Sequence, residues 1–203
     1  MEVPVNVIFV FEGDEECGSR GLEEFLAEHR TELAADLVFF SDGPKDPSGL
    51  PIIALGAKGD LSVHITVETM NRNVHARYAP VLPSAAWQLV EILGKCKSKD
   101  KILIPGFEEG ILPFTEKEIE IMDKLPKSED SLNTIYEAKS SNYGKDFYQR
   151  LLGQPTFNIC WIKTGANGVV PAKAEALIDC RLVPDQDPEK VFQCIKRHVE
   201  MMG

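Results

Sequence analysis

Residues 60–70 read Asp-Leu-Ser-Val-His-Ile-Thr-Val-Glu-Thr-Met and alternate strictly, with Leu61, Val63, Ile65 and Val67 on one side and Ser62, His64, Thr66 and Glu68 on the other. A period of two is the repeat of a β-strand with one covered face. One wet face points to an antiparallel sheet, because parallel sheets are buried on both sides. The run therefore commits the surrounding chain to a sheet covered on one face only. The cover is expected from helices. Pro83 to Lys95 places Ala86, Leu89, Val90 and Leu93 along one side of a helix, and a second helix is expected from Asp187 or Pro188 to about Met201. Thr156–Lys163 and Lys173–Leu182 are further strand-type runs. The order β, α, β, β, α needs one more strand to become the ferredoxin-like βαββαβ. Between the first helix and the second strand lies a polar stretch, about 105–153, with weak helical signals near 115–125 and 143–152. It reads as an insertion rather than core.

A different organisation precedes residue 56. Residues 3–11 read as a strand, Ser19 as the N-cap of a helix near 20–30, and Leu37 to Phe40 as a second strand ending at Ser41-Asp42-Gly43. A strand–helix–strand unit of this kind has parallel strands and a right-handed crossover. The expected fold class is thus an α/β fragment with βαβ order, over residues 1–55, followed by an α+β ferredoxin-like domain lacking its last strand, over 56–203. A lone βαβ unit cannot cover both faces of a parallel sheet. More strands and helices are expected outside these residues.

Composition narrows the partners. The chain has 203 residues, 43% of them apolar, and a net charge of −10. Nucleic acid and anionic membranes call for concentrated Lys and Arg, which this balance lacks. The five cysteines form no Cys-x-x-Cys pair, and no apolar run approaches the ~20 residues of a membrane span. A reducing, cytoplasmic setting is the expectation.

The chemistry concentrates at Phe11-Glu12-Gly13-Asp14-Glu15-Glu16-Cys17-Gly18-Ser19, where four carboxylates occupy the five positions 12–16. Consecutive carboxylates at a strand end repel unless a cation or proton relieves them. A metal site with a spare carboxylate for proton transfer accounts for the pattern. So does an acidic first turn of a helix, favoured by the helix dipole. Asp42 stands at the end of the next strand, and could be either a ligand or a residue of the Ser-Asp-Gly-Pro turn.

Four segments together carry a resemblance: Phe11 to Ser19, Ser41-Asp42, Asn73-Val74-His75-Ala76, and Val170-Pro171-Ala172-Lys173-Ala174 running into Arg181-Leu182-Val183-Pro184. In this order and spacing the chain resembles the two-zinc metallopeptidases that include carnosinase-type dipeptidases, glutamate carboxypeptidase, aminoacylase and succinyl-diaminopimelate desuccinylase. Gly106-Phe107 and Leu112-Pro113-Phe114-Thr115 favour the carnosinase-type branch.

The resemblance implies a role for each matched residue. Glu15 becomes the general base and Glu16 a metal ligand, with Asp42 a ligand to the second metal. His75 becomes an oxyanion-stabilising residue that reaches across a dimer, although Ala76-Arg77 follows it where the family has Ser or Gly. Arg181 becomes a grip on a substrate carboxylate, with a surface ion pair to Asp179 or Asp185 as the alternative. Thr164, Asn167 and Gly168 fall where the family places further substrate contacts. The implied cofactor is two Zn2+, replaceable by Mn2+ or Co2+. The implied partners are a dipeptide or N-acyl amino acid substrate and a second copy through the 56–203 domain. The family's remaining His and bridging Asp ligands have no counterpart here. The chain alone is therefore expected to be inactive and to hold no metal stably. A non-catalytic dimerisation module is the competing expectation.

Overall fold

The computed structural model describes residues 4–40, 43, 46, 49–54, 56–126, 129–139 and 146–202. The chain divides into two units, Met1–Pro44 and Lys45–Gly203.

In the first unit the main element is α1, Leu22–Glu28, preceded by a short 3-10 turn at Glu15–Cys17. The N-cap of α1 is Gly21, at φ +87°, rather than Ser19. Ser19 is itself left-handed at φ +49°, and its carbonyl accepts from Leu22 N–H at 3.0 Å. The strands expected over 3–11 and 37–40 do not form a ladder among the described residues. The reason is physical. Phe11 is 90% exposed and Phe39 79% exposed; runs this apolar become strands only between neighbours that cover both faces.

The second unit is built on one long pairing. β1 (Gly59–Glu68) runs antiparallel to β7 (Lys173–Leu182), with Gly59 opposite Leu182 and Glu68 opposite Lys173. β5 (Asn158–Thr164) joins the other side of β7, with an irregularity between Ile159 and Trp161. The sheet order is β1-β7-β5. The period-two reading holds: Val63, Ile65 and Val67 are buried, and Ser62, His64, Thr66 and Glu68 are exposed.

Two helices cover the inner face. α2 (Ala85–Cys96) contributes Ala85, Leu89, Ile92, Leu93 and Cys96, all buried. α6 (Pro188–Glu200) contributes Val191 and Ile195. Its start is firmly set, because Pro188 opens it and the Asp187 carboxylate accepts from Glu189 N–H at 2.9 Å and Lys190 N–H at 3.3 Å. Small residues on the central strand, Ala174 and Ala176, are fully buried beneath these helices. They let the helix backbones approach the sheet closely.

Around this frame lie two short ladders, β2 (Val74–His75) with β6 (Val169–Val170) and β3 (Lys97–Ser98) with β4 (Lys101–Ile102). Three more helices follow β4: α3 (Glu116–Asp123), α4 (Glu129–Tyr136) and α5 (Phe147–Gly153). α3 begins in a capping box. Thr115 Oγ1 accepts from Glu118 N–H, and Glu118 accepts from Thr115 N–H, which holds the Glu118 carboxyl below its usual range. The stretch read as an insertion is partly core. Phe107 is fully buried and meets Phe157 edge-on, with ring centroids 6.2 Å apart. Beside it, buried Gln186 accepts from Val183 N–H at 3.0 Å and donates to Phe107 C=O at 2.7 Å.

Burial makes three outcomes measurable. Leu89→Ala should lower unfolding stability by about 2–5 kcal/mol in a urea titration, whereas Trp87→Ala, at a position 71% exposed, should change it by no more than about 0.5 kcal/mol. Gln186→Leu orphans two buried backbone groups and should cost about 1–3 kcal/mol for each. Burial also pushes the Cys96 thiol up to about 11 and, helped by Asp179, the Cys180 thiol up to about 12. An unfolded thiol loses its proton near 8.5. The raised values therefore stabilise the fold fully below about pH 8.5, and that contribution is lost as pH climbs towards the folded values. At pH 8 a thiol reagent should label exposed Cys17 and Cys160 first, and Cys96 and Cys180 only on unfolding.

Candidate functional site

The acidic turn sorts its four carboxylates into two pairs. Glu12 accepts from Asp14 N–H at 2.8 Å. Asp14 Oδ2 takes both the backbone N–H and the Nε–H of Arg20 at 3.3 Å. The Asp14 carbonyl closes the turn by accepting from Cys17 N–H at 3.0 Å and Ser19 N–H at 2.9 Å. Gly18 then sits at φ +91°, where a side chain would be strained. Glu12 and Asp14 thus build the turn. Glu15 and Glu16 are exposed, and their carboxylates take no hydrogen bond or ion pair among the described residues. They are the pair that the turn itself leaves without a partner among the described residues.

Asp42, the third expected ligand, lies outside the described residues. Among the described residues no group of three or more His, Cys, Asp or Glu side chains comes together as a metal site. Two adjacent carboxylates are the right donor class for a divalent ion but too few to hold it. The described residues do not by themselves fit a zinc centre.

His75 stands at the end of β2. Its loop is tied to the segment before β7: Ala76 N–H donates to Gly168 C=O at 2.8 Å, and Ala172 N–H donates to Asn73 Oδ1 at 2.9 Å. The structure thus brings Asn73–Ala76 and Gly168–Ala172 together, two stretches far apart in sequence. His75 Nδ1 accepts from Arg77 N–H at 3.1 Å. An accepting Nδ1 carries no proton, so the neutral ring holds its proton on Nε2. That leaves His75, an exposed residue, with an N–H to donate. Thr164 Oγ1 donates to Lys173 C=O at 3.4 Å, so it and Gly168 cluster at this same end of β7.

Arg181 stands at the other end. Its Nε and Nη2 grip Asp179 at 3.2 Å and 3.1 Å, and Nη1 lies 3.6 Å from Asp60 across the β1–β7 pair. Asp179 chiefly, with Asp60, holds the guanidinium above its ordinary range. Asp185 does not pair with it among the described ion pairs. Asp60 had no signal in the sequence, because only the register Asp60 opposite Arg181 creates the contact. Eight residues of strand separate Lys173 from Arg181, roughly 27 Å at ~3.4 Å per residue. His75 and Arg181 of one chain therefore lie towards opposite ends of the sheet.

The other histidines are structural. His29 Nδ1 meets Glu32 at 3.1 Å and His198 Nε2 meets Lys95 C=O at 3.1 Å. His64 packs edge-on against Trp161 on the outer sheet face, 3.7 Å from Glu175. Lys173 holds the Glu175 carboxyl below its usual range. No helix among the described residues is long and apolar enough to cross a membrane.

Comparison with known proteins finds relatives along nearly the whole chain. The Cys-Gly metallodipeptidase DUG1 of Saccharomyces cerevisiae is 30% identical over 98% of this chain and 44% of its own length. The human Beta-Ala-His dipeptidase is 25% identical over 98% of this chain and 41% of its own. The chain thus spans somewhat under half the length of the curated relatives it matches. Among solved structures, the yeast dipeptidase Dug1p superposes with a TM-score of 0.84 at 28% identity, over 95% of this chain and 42% of that one. The M20 family metallo-carboxypeptidase Sso-CP2 from Sulfolobus solfataricus does so with a TM-score of 0.79 at 30% identity, over 90% and 50%. The family model described as the peptidase dimerisation domain matches residues 55–201, and the chain belongs to that M20 family.

Proposed function

We propose that this chain serves a metal-dependent dipeptidase or amidohydrolase that cleaves an amide next to a free carboxylate. Residues 1–55 are read as part of the catalytic domain, where 3–11 and 37–40 become strands once neighbours cover them. Residues 56–203 are read as the lid and dimerisation domain, ferredoxin-like, with about 105–153 inserted. The order β1-β7-β5 supports this reading, since a fourth strand would pair on the open edge of β1. Glu15 is assigned as general base, and Glu16 and Asp42 as metal ligands, with Zn2+ the favoured ion and Mn2+ or Co2+ the alternatives.

The observation that carries the proposal is the separation of His75 from Arg181. An extended dipeptide spans only about 7 Å, so it cannot reach both residues of one chain. A homodimer resolves this: His75 of one copy donates its Nε2–H to the developing oxyanion while Arg181 of the other copy takes the substrate carboxylate. The open edge of β5, with Trp87 and Val90 exposed on α2, is the surface offered to the second copy. The competing reading, a dimerisation module without chemistry, is favoured by the family match itself, which is to the peptidase dimerisation domain. Cytoplasmic location stays a part of the proposal.

Two measurements separate these readings. In the whole protein, Glu15→Gln should lower kcat about 10²–10⁴-fold while bound metal stays constant, and Glu16→Gln should lower metal content first. An inactive wild type with saturating Zn2+ or Mn2+ would leave only the dimerisation module. Separately, His75→Ala and Arg181→Ala proteins, each weak at low dipeptide concentration, should recover about a quarter of wild-type activity when unfolded and refolded together, because half the dimers then own one intact shared site. No recovery would place both residues in sites built from one chain.

A further inference from the structure

Lys58, Lys97 and Arg150 come from three separate segments, just before β1, just after α2 and within α5, yet they line one cleft of about 300 Å3. All three are half-buried. Lys58 Nζ donates to Gln154 C=O at 2.5 Å and Lys97 Nζ to Phe157 C=O at 3.1 Å. Arg150 gives its Nε–H to Gln154 Oε1 at 3.3 Å, and its Nη2 lies 3.8 Å from Asp100 at the rim. Neither lysine has a carboxylate within 4.0 Å among the described residues.

Carbonyl dipoles orient an ammonium, but they do not cancel its charge. Taking it partly out of water without a counter-ion is unfavourable. Burial accordingly pushes the Lys58 ammonium below its usual range, with no acid to hold it up. The surplus also runs against the chain, whose net charge is −10. Lys58 and Lys97 together carry two positive charges with no carboxylate within 4.0 Å among the described residues, the match for a phosphate monoester dianion rather than a single carboxylate. Phe147 and Leu151, from the same helix as Arg150, add apolar lining to the cleft. The size is at the lower end for organic ligands.

We propose that this cleft binds a small organic phosphate, its phosphoryl group held by Lys58, Lys97 and Arg150 and its compact apolar body laid against Phe147 and Leu151. A fork of guanidinium donors plus two point-charge ammoniums is the usual chemistry of such recognition. The site is independent of the dipeptidase reading and needs none of its residues.

The probe is phenyl phosphate, titrated into the 203-residue chain and followed by amide NMR shifts, with sodium chloride at matched ionic strength as the control. Saturable shifts centred on Lys58, Lys97, Arg150 and Thr156 are expected, and phenol should produce none. Lys58→Met and Lys97→Met should each weaken binding roughly tenfold or more, while Lys58→Arg should keep it. Inorganic phosphate should reach the same residues more weakly. If it binds as tightly as phenyl phosphate, the apolar lining has no part and that half of the proposal fails. Shifts that are absent, reproduced by chloride or centred elsewhere overturn the whole, as does wild-type binding by both methionine variants. Should those variants not fold, the wild-type shift map still decides.

Discussion

The pairing of β7 with β1 on one side and β5 on the other is the interaction on which the second unit depends. β7 is the only one of the three strands paired along both edges. Its inward residues, Ala174, Ala176, Ile178, Cys180 and Leu182, are buried in the core that the two helices close, α2 over β7 and β1 and α6 over β1. The small ones matter most, because alanines there bring α2 near enough for Leu89 and Ile92 to fill the space between. The outward residues of the same strand, Lys173, Glu175, Asp179 and Arg181, carry the charge network of the wet face. One strand therefore sets both the core and the face that could meet a substrate.

That strand also acts as a ruler. The loop bearing His75 is fastened to the segment leading into β7, and Arg181 stands near its exit. A rigid ten-residue strand fixes their separation, so no side-chain rearrangement can bring them together. Pairing between copies of the chain then becomes a requirement for any site that uses both, rather than an added feature. The proton placement on His75 follows from an equally local cause, the capping of Arg77 N–H by Nδ1.

Much of this was legible in the residues. The alternation at 60–70, the amphipathic run at 83–95 and the Asp187-Pro188 helix start all encode their elements locally, and each element formed there, although α2 buries Ala85, Ile92 and Cys96 beside Leu89 and Leu93 and leaves Val90, expected on that face, exposed. The failures share a different cause. The strands at 3–11 and 37–40 depend on neighbours, so their apolar character alone did not form a ladder. Ser19 is a good cap by composition, but Gly21 took the position with its left-handed backbone. Phe107 lay in a polar stretch and still entered the core, held by Phe157 and Gln186 from distant positions. The partner of Arg181 across the sheet depended on register, which no local pattern specifies. Asp42 lies outside the described residues, so the reading of its role rests on sequence alone.

Among the described residues, the order β1-β7-β5 leaves the outer backbone edges of β1 and β5 without a partner strand. The two edges are different surfaces, which has a consequence for how copies add to one another. Joining β5 to β5 about a twofold axis closes after two copies. Joining the β1 edge of one copy to the β5 edge of the next is head-to-tail and has no natural stopping point. A β1 edge left without a covering strand therefore lets the sheet repeat as an open ribbon, and what occupies that edge decides between a finite assembly and a growing one.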